Sequence, residues 1–363
     1  MAEREQINFT RGVPADESYP ITELVEAAAT ALRGRGSGML SYGPALGFAP
    51  LREWIAAWQA VPIDQVLIAN GSLQIVEFLC LSLLSPGDLV FTESPTYDRT
   101  ITLLKRHHAN VVGIPLEADG PDLAALEREL ARHVPKFLYV IPDFQNPAGV
   151  TCAGEKRRRI AELARTHGFL VVEDAPYRLL RYRGADEPTI RSLAPERTLH
   201  MSSFTKLIAP GVRVGFAIGE PALIKALAKT AEDTYISPGY VAQGIAAEWC
   251  GRGLLEPQIA RLKQLYAPRL DACLAALERE MPDADPTRPD GGFFVSLTLP
   301  AGSSTTAVRT AAATRNLSLA DGLAFFPNGG GERFLRLPFC ALTPAALDEG
   351  IRRLAESVRS ARG

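Results

Sequence analysis

SSFTKLIAPGVRVG, residues 202–215, is the stretch on which the reading of this chain turns. Lys206 follows an apolar and hydroxyl-bearing run, LHMSSF, with the composition of a strand, and it precedes Pro210, Gly211 and Arg213. Lysines are scarce here, and Lys105, Lys156, Lys225 and Lys263 fall on the polar faces of helical patterns. Lys206 stands instead at a strand end, between hydroxyls and a turn. Two readings are open: a surface lysine, or a buried amine suited to Schiff-base chemistry with Ser203, Thr205 and Arg213 around a nearby anion.

Outward from that stretch, short continuously apolar runs alternate with helical patterns. QVLIAN, LVFTE, VVGIPL, KFLYVIP, FLVVED and TLHMSSF read as strands, with helices such as LQIVEFLCLSLL and the segment 154–167 between them. Strands of this kind belong to a mainly parallel sheet buried on both faces, so the chain from about 50 to 250 reads as a large α/β domain. Helical spacing in ITELVEAAATALRG is expected to stop at Gly34, and the glycine-rich segment 34–50 to form a loop close to another surface. After Pro257 a long connector helix leads to GGFFVSLTLP, a helix, the extended segments LSLADGLAFFP and RFLRLPF, and a terminal amphipathic helix, which together describe a smaller α+β domain. The expected boundaries are an N-terminal segment 1–45, a large domain 46–255 and a connector with small domain 256–363.

Composition narrows the function. The chain has 363 residues, 47% of them apolar, and a net charge of −2, which lacks the basic footprint of a general nucleic-acid binder. The one cationic run, KRRR at 156–159, opens a helical pattern and reads as a solvated face. Five scattered cysteines show neither a disulfide framework nor metal-ligand spacing and point to a reducing, cytoplasmic setting. The charged opening MAEREQINFTRG has no apolar core for a secretory signal, and the longest apolar run, Ile75–Leu84, is too short for a bilayer. Scattered histidines argue against a metal site.

In a doubly wound sheet, ligands bind beyond the carboxyl ends of the strands. Those ends carry Asn70-Gly71-Ser72, Ser94-Pro95-Thr96-Tyr97, the run 142–147 with Asn146, Asp174 with Tyr177, and Ser203 with Lys206. Gly71-Ser72-Leu73 offers backbone N–H groups at a helix start, where an anion is favoured. Taken together they meet the needs of pyridoxal 5′-phosphate: an amine, an acid facing the pyridine nitrogen, a donor for the ring hydroxyl, an aromatic face and a phosphate cup.

YGPALGFAPLR, ANGSLQ, SPTY, PDFQNPAG, EDAPY, SSFTKLIAPGVRVGF and FLRLPF stand in the order and spacing seen in fold-type I pyridoxal-phosphate aminotransferases of class I/II. The chain resembles the branch with 2-aminoadipate, aromatic and kynurenine-type enzymes and the aminotransferase-like half of MocR regulators. The resemblance implies Lys206 as the Schiff-base lysine and proton carrier, Asp174 at the pyridine nitrogen, Asn146 and Tyr177 at the ring hydroxyl, and Tyr97 stacked on the ring. It implies Gly71, Ser72, Leu73, Ser203 and Arg213 at the phosphate. Arg336 would grip the substrate α-carboxylate, with Asn146 and Gly12 beside the substrate. Tyr42 would reach the phosphate of a neighbouring subunit, implying a homodimer with shared sites.

Thr205, where serine is common, and Leu73, where a polar residue is common, depart from that pattern. With no DNA-binding domain ahead of the fold, a MocR-type regulator is disfavoured. Arg11 or Arg33 is expected to bear on side-chain choice. The implied activity moves an amino group from an L-amino acid to a 2-oxo acid. A lyase, decarboxylase or cyclase on the same scaffold stays open. A non-catalytic regulator is disfavoured by the intact set Lys206, Asp174, Asn146 and Arg336.

Overall fold

Apolar strands that cannot show either face to water need helices on both sides, and this requirement shapes the larger part of the molecule. The computed structural model describes residues 5–362; the expectation drawn from the first four residues lies outside them. In chain order the strands are β1 (Ile7–Phe9), β2 (Val66–Ala69), β3 (Leu89–Ser94), β4 (Asn110–Glu117), β5 (Gly120–Pro121), β6 (Phe137–Val140) and β7 (Leu170–Asp174). They continue with β8 (Thr198–Ser203), β9 (Gly215–Ile218), β10 (Asp285–Pro286), β11 (Phe294–Thr298), β12 (Leu317–Leu319) and β13 (Phe334–Pro338).

Eight of them form one sheet in the order β2-β9-β8-β7-β6-β3-β4-β5. Its central pairings, β8-β7-β6-β3-β4, are all parallel, while β9 runs antiparallel to both neighbours and β5 antiparallel to β4. This is the expected mainly parallel α/β sheet. β10, β11 and β13 make a separate antiparallel sheet, and β1 pairs in parallel with β12. The connector helix Leu255–Glu280 carries Pro268 in its interior.

Several local expectations are corrected. The first helix does not stop at Gly34 but runs to Arg35 and ends at Gly36, whose φ of +50° only glycine adopts easily. Gly120-Pro121, beyond the expected strands, pairs antiparallel with the end of β4. In LSLADGLAFFP only residues 317–319 are extended; Asp321 accepts a hydrogen bond from the Leu323 N–H and starts a 3-10 turn at Gly322–Phe325.

The KRRR run is not uniformly solvated. Arg157 is fully buried, with its guanidinium donating to Asp143 Oδ1 (2.8 Å), the Pro142 carbonyl (2.8 Å) and the Cys152 carbonyl (2.8 Å). Burial is tolerated because the charge is paired and its donors are used. Arg157 thereby holds from below the loop that presents Asn146. All five cysteines are buried and unpaired, and no helix among the described residues is long and apolar enough to cross a membrane.

Candidate active site

The ends of β2, β3, β6, β7 and β8 open onto a cavity of about 400 Å³. Lys206, Asp174, Asn146, Tyr97, Tyr177 and Arg336 line it, and so do Gly12, Gly71, Ser72, Leu73, Ser203 and Arg213. Of the residues selected from sequence, Tyr42 lies elsewhere, 83% exposed on another face of the chain, and Arg33 is exposed on the first helix, Ile21–Arg35, outside this cavity.

Lys206 sits not on the strand end but three residues past it. The chain leaves β8 and makes a tight turn, in which the Ile208 N–H donates to the Phe204 carbonyl (2.8 Å). This carries the amine back over the sheet. Nζ donates to the Gly12 carbonyl at 2.7 Å and lies over the rings of Phe293 (5.3 Å) and Tyr177 (6.0 Å). Burial, reinforced by Arg336 and Arg213, lowers this amine from 10.5 to about 8.

Asp174 ends β7 and is 6% exposed. Its Oδ2 accepts from the Tyr139 hydroxyl at 2.7 Å, while Oδ1 is buried with no partner. Burial raises the carboxyl from 3.8 to about 6, against the lowering pull of the Tyr139 hydrogen bond and of His200. A buried carboxylate oxygen without a donor is costly, so Oδ1 calls for a cationic N–H from a ligand.

The opposite end of the cavity is built for an anion. Gly71, at φ +97°, precedes the 12-residue helix Ser72–Leu83, whose first N–H groups have no intrahelical acceptor. Arg213, itself left-handed at φ +51°, donates to the Asn70 carbonyl at 2.8 Å. A Cβ on Gly71 would lie 2.5 Å from the Arg213 guanidinium, and one on Gly215 would lie 2.4 Å from the Ser72 nitrogen. Both glycines are therefore set by close backbone approach around this cup.

At the third corner Arg336 is in the middle of β13, not at its end. It donates to Asn146 Oδ1 (2.8 Å) and to the Thr10 carbonyl (2.7 Å), its Nε is buried without a partner, and it stacks on Phe294 and Phe325 at 4.8 and 4.6 Å. Asn146 spends its oxygen on Arg336, which leaves its amide N–H groups to donate into the cavity. Below, Gln145 donates to Glu93 Oε2 at 3.0 Å and to the Pro95 carbonyl at 2.7 Å. Burial pushes Glu93 up to about 8, so the loop rests on a carboxyl that is mostly neutral at neutral pH.

Sequence reasoning passed over Tyr139 and Phe294, which lie inside apolar runs rather than at their ends, and Glu93, which closes the run LVFTE but is buried under the loop of Gln145 rather than in the cavity lining. Their signal was chemical: a tyrosine hydroxyl or a glutamate within a buried strand must find a partner.

The donor set fits pyridoxal 5′-phosphate. The unpartnered Oδ1 of Asp174 suits a protonated ring nitrogen, the bare helix start and Arg213 suit a phosphate, and the depressed amine of Lys206 suits an aldehyde.

Comparison with known proteins agrees. A profile of aminotransferase class I and II matches residues 4–354. The chain is 36% identical to a 2-aminoadipate transaminase of Thermus thermophilus, covering 97% of this chain and 90% of that one. It is 34% identical to aromatic-amino-acid aminotransferase 1 of Thermococcus litoralis, covering 97% and 88%. It superposes with a TM-score of 0.94 and 34% identity on a crystal structure of an alpha-aminoadipate aminotransferase from Thermus thermophilus complexed with N-(5′-phosphopyridoxyl)-L-leucine, over 98% of this chain and 92% of that one. With its fold, its cofactor site and these relatives in agreement, the chain belongs to the class I and II aminotransferases, enzymes that use pyridoxal 5′-phosphate to transfer amino groups.

Proposed function

We propose that the cavity performs transamination between an L-amino acid and a 2-oxo acid, with Lys206 as covalent anchor and proton carrier. The carrying observation is the convergence of a depressed amine, a buried carboxylate with a free oxygen and an arginine with an unpaired N–H around one cavity. Bound there, the cofactor supplies an electron sink for charge released at the substrate α-carbon. Asp174 keeps the ring nitrogen protonated, Asn146 and Tyr177 bind the ring oxygen, and Tyr97 covers one ring face. Gly71, Ser72, Leu73, Ser203 and Arg213 hold the phosphate. Arg336 takes the α-carboxylate, and Gly12 lines the substrate side. Lys206 moves the proton between the α-carbon and the cofactor.

The test is holoenzyme incubated with a panel of L-amino acids and either pyruvate or 2-oxoglutarate. New amino acid and new 2-oxo acid are expected in equal amounts; sustained turnover of an amino acid without acceptor would overturn the reading in favour of a lyase or cyclase.

Lys206 must be neutral to act as a nucleophile, and its amine is held near 8 rather than 10.5. The charged form is the disfavoured one, so reactivity rises with pH and half-saturates near that value. Reloading of the apoprotein with cofactor, followed by absorbance, is expected to show this midpoint; a midpoint near that of free lysine would contradict it.

A homodimer is also part of this proposal. Tyr42, Leu40 (73% exposed) and Val241 border a second cavity of about 1190 Å³, whose wall includes Ala209 and Val212 from the turn between Lys206 and Arg213. An apolar surface of this kind next to the site supports a second copy seated on it, with Tyr42 reaching across to the partner's phosphate cup. The division at residues 46 and 256 and a cytoplasmic setting belong to the same reading, supported by the separate sheets and the unpaired cysteines. Sedimentation at the mass of one chain, or recovery outside the cytoplasmic fraction, would count against it.

A further inference from the structure

β4 pairs with β3 over residues 110–115 but with β5 only at Leu116 and Glu117, so among the described residues its other edge has no strand partner at 111–113. An open edge leaves N–H and C=O groups that need partners. The side chain of Asn328, from the far end of the sequence, supplies them. Its Nδ2 donates to the Val111 carbonyl at 2.9 Å and its Oδ1 accepts from the Gly113 N–H at 2.7 Å. One residue of a parallel neighbouring strand would make the same two contacts.

The fit is close. A Cβ on Gly113 would fall 2.8 Å from Ser94 Cβ and 3.0 Å from Pro327 Cγ, so the bare strand residue is what admits Pro327 and Asn328. Three residues before Asn328, the Phe325 carbonyl accepts from the Thr96 N–H at 2.9 Å, next to Tyr97. The Phe325 ring is buried, meets Phe334 edge-on at 6.1 Å and lies 4.6 Å from the guanidinium of Arg336, which also stacks on Phe294. The segment that carries one of the two rings around Arg336 is thus tied to the large sheet at Thr96 and at β4.

We propose that Asn328 is a positioning residue for substrate binding: by pinning residues 325–328 to the open edge of β4 it fixes Phe325, and through that ring the guanidinium of Arg336. This rests on the reading of Arg336 as the α-carboxylate anchor. A guanidinium that must present two N–H groups to a carboxylate binds more weakly when its plane is free to tilt, and the ring beneath it sets that plane. Asn328 does not line the cavity, and Lys206, Asp174, Gly71 and Arg213 are all carried by the eight-stranded sheet and its strand-end loops, so loosening this tie leaves the cofactor site in place.

The experiment compares wild-type holoenzyme with Asn328→Ala, Asn328→Asp, Phe325→Leu, Arg336→Gln and the double variant Asn328→Ala with Phe325→Leu. In Asn328→Ala the KM for the amino donor is expected to rise about tenfold while kcat and the cofactor dissociation constant each move by less than about twofold. Asn328→Asp, which keeps the acceptor for the Gly113 N–H, is expected to lose less. The double variant is expected to be no worse than the weaker-binding single one, because the two residues act in series. Calorimetric titration with pentanoate, an unreactive monocarboxylate, gives the same comparison without turnover. Losses that multiply in the double variant, or a fall in kcat and cofactor affinity alongside KM, would overturn the proposal. If Arg336→Gln weakens pentanoate and Asn328→Ala does not, the positioning role fails and the anchor stands; if Arg336→Gln binds pentanoate as wild type does, the anchor reading fails and the proposal falls with it.

Discussion

Replacing Lys206 by alanine is expected to reduce amino transfer by about 10⁴-fold or more, because the proposed reaction draws both its nucleophile and its proton carrier from this one side chain. The fold should survive the change. The amine is held well below its ordinary value by burial, so the interior does not favour its charge, and the alanine variant loses a single hydrogen bond to the Gly12 carbonyl. A melting temperature close to wild type, together with loss of borohydride-stable cofactor attachment in the mass spectrum, separates lost chemistry from lost structure. Turnover within tenfold of wild type would remove Lys206 from its assigned role.

Asp174→Asn should have the next largest effect, a fall in kcat/KM of about a thousandfold, or roughly 4 kcal/mol. The amide can still accept from Tyr139, so the strand end stays in place; what goes is the negative charge proposed to face the ring nitrogen. Removing one member of a buried charge pair costs about 3–5 kcal/mol, which sets the scale. Asp174→Glu keeps the charge but lengthens the arm, and intermediate activity is expected. Since the carboxyl lies near 6 in the ligand-free chain, its charge exists only above that value, so cofactor affinity of the apoprotein should decline as pH falls through it. If Asp174→Asn turned over normally with full cofactor occupancy, the ring-nitrogen assignment would be lost.

Much of this was legible because strand ends in a parallel sheet are punctuated in the sequence. Asn70-Gly71-Ser72 follows the unbroken apolar run VLIA, Asp174 closes FLVVED and Ser203 closes TLHMSS, and Gly71, Ser72, Asp174 and Ser203 all line the cavity. The residues that escaped sit where period and punctuation carry no message. Tyr139 is one aromatic among the apolar residues of FLYV, and its meaning depends on the neighbouring strand, where Asp174 reaches it. Arg157 sits in a cationic run that reads as surface, and only the placement of the loop carrying Asp143 explains its burial. Thr10 acts through its main-chain carbonyl, which no side-chain reading can detect. Tyr42, named from the resemblance, is displayed on a face away from the cavity, and the role proposed for it there needs a second copy of the chain.

The edge position of β2 has a consequence for how the protein folds. β2 touches the sheet through β9 alone, with Val66 opposite Ile218 and Ala69 opposite Gly215, so a strand made early must wait for one made much later. Closing so long a loop is slow, as for other non-local pairings. The turn at Gly71 and the guanidinium of Arg213 meet only at that closure, so on the proposed reading of these two residues as phosphate ligands, cofactor capture reports completion of the sheet. On that reading the ligand stabilises the finished chain and not its partly folded precursors.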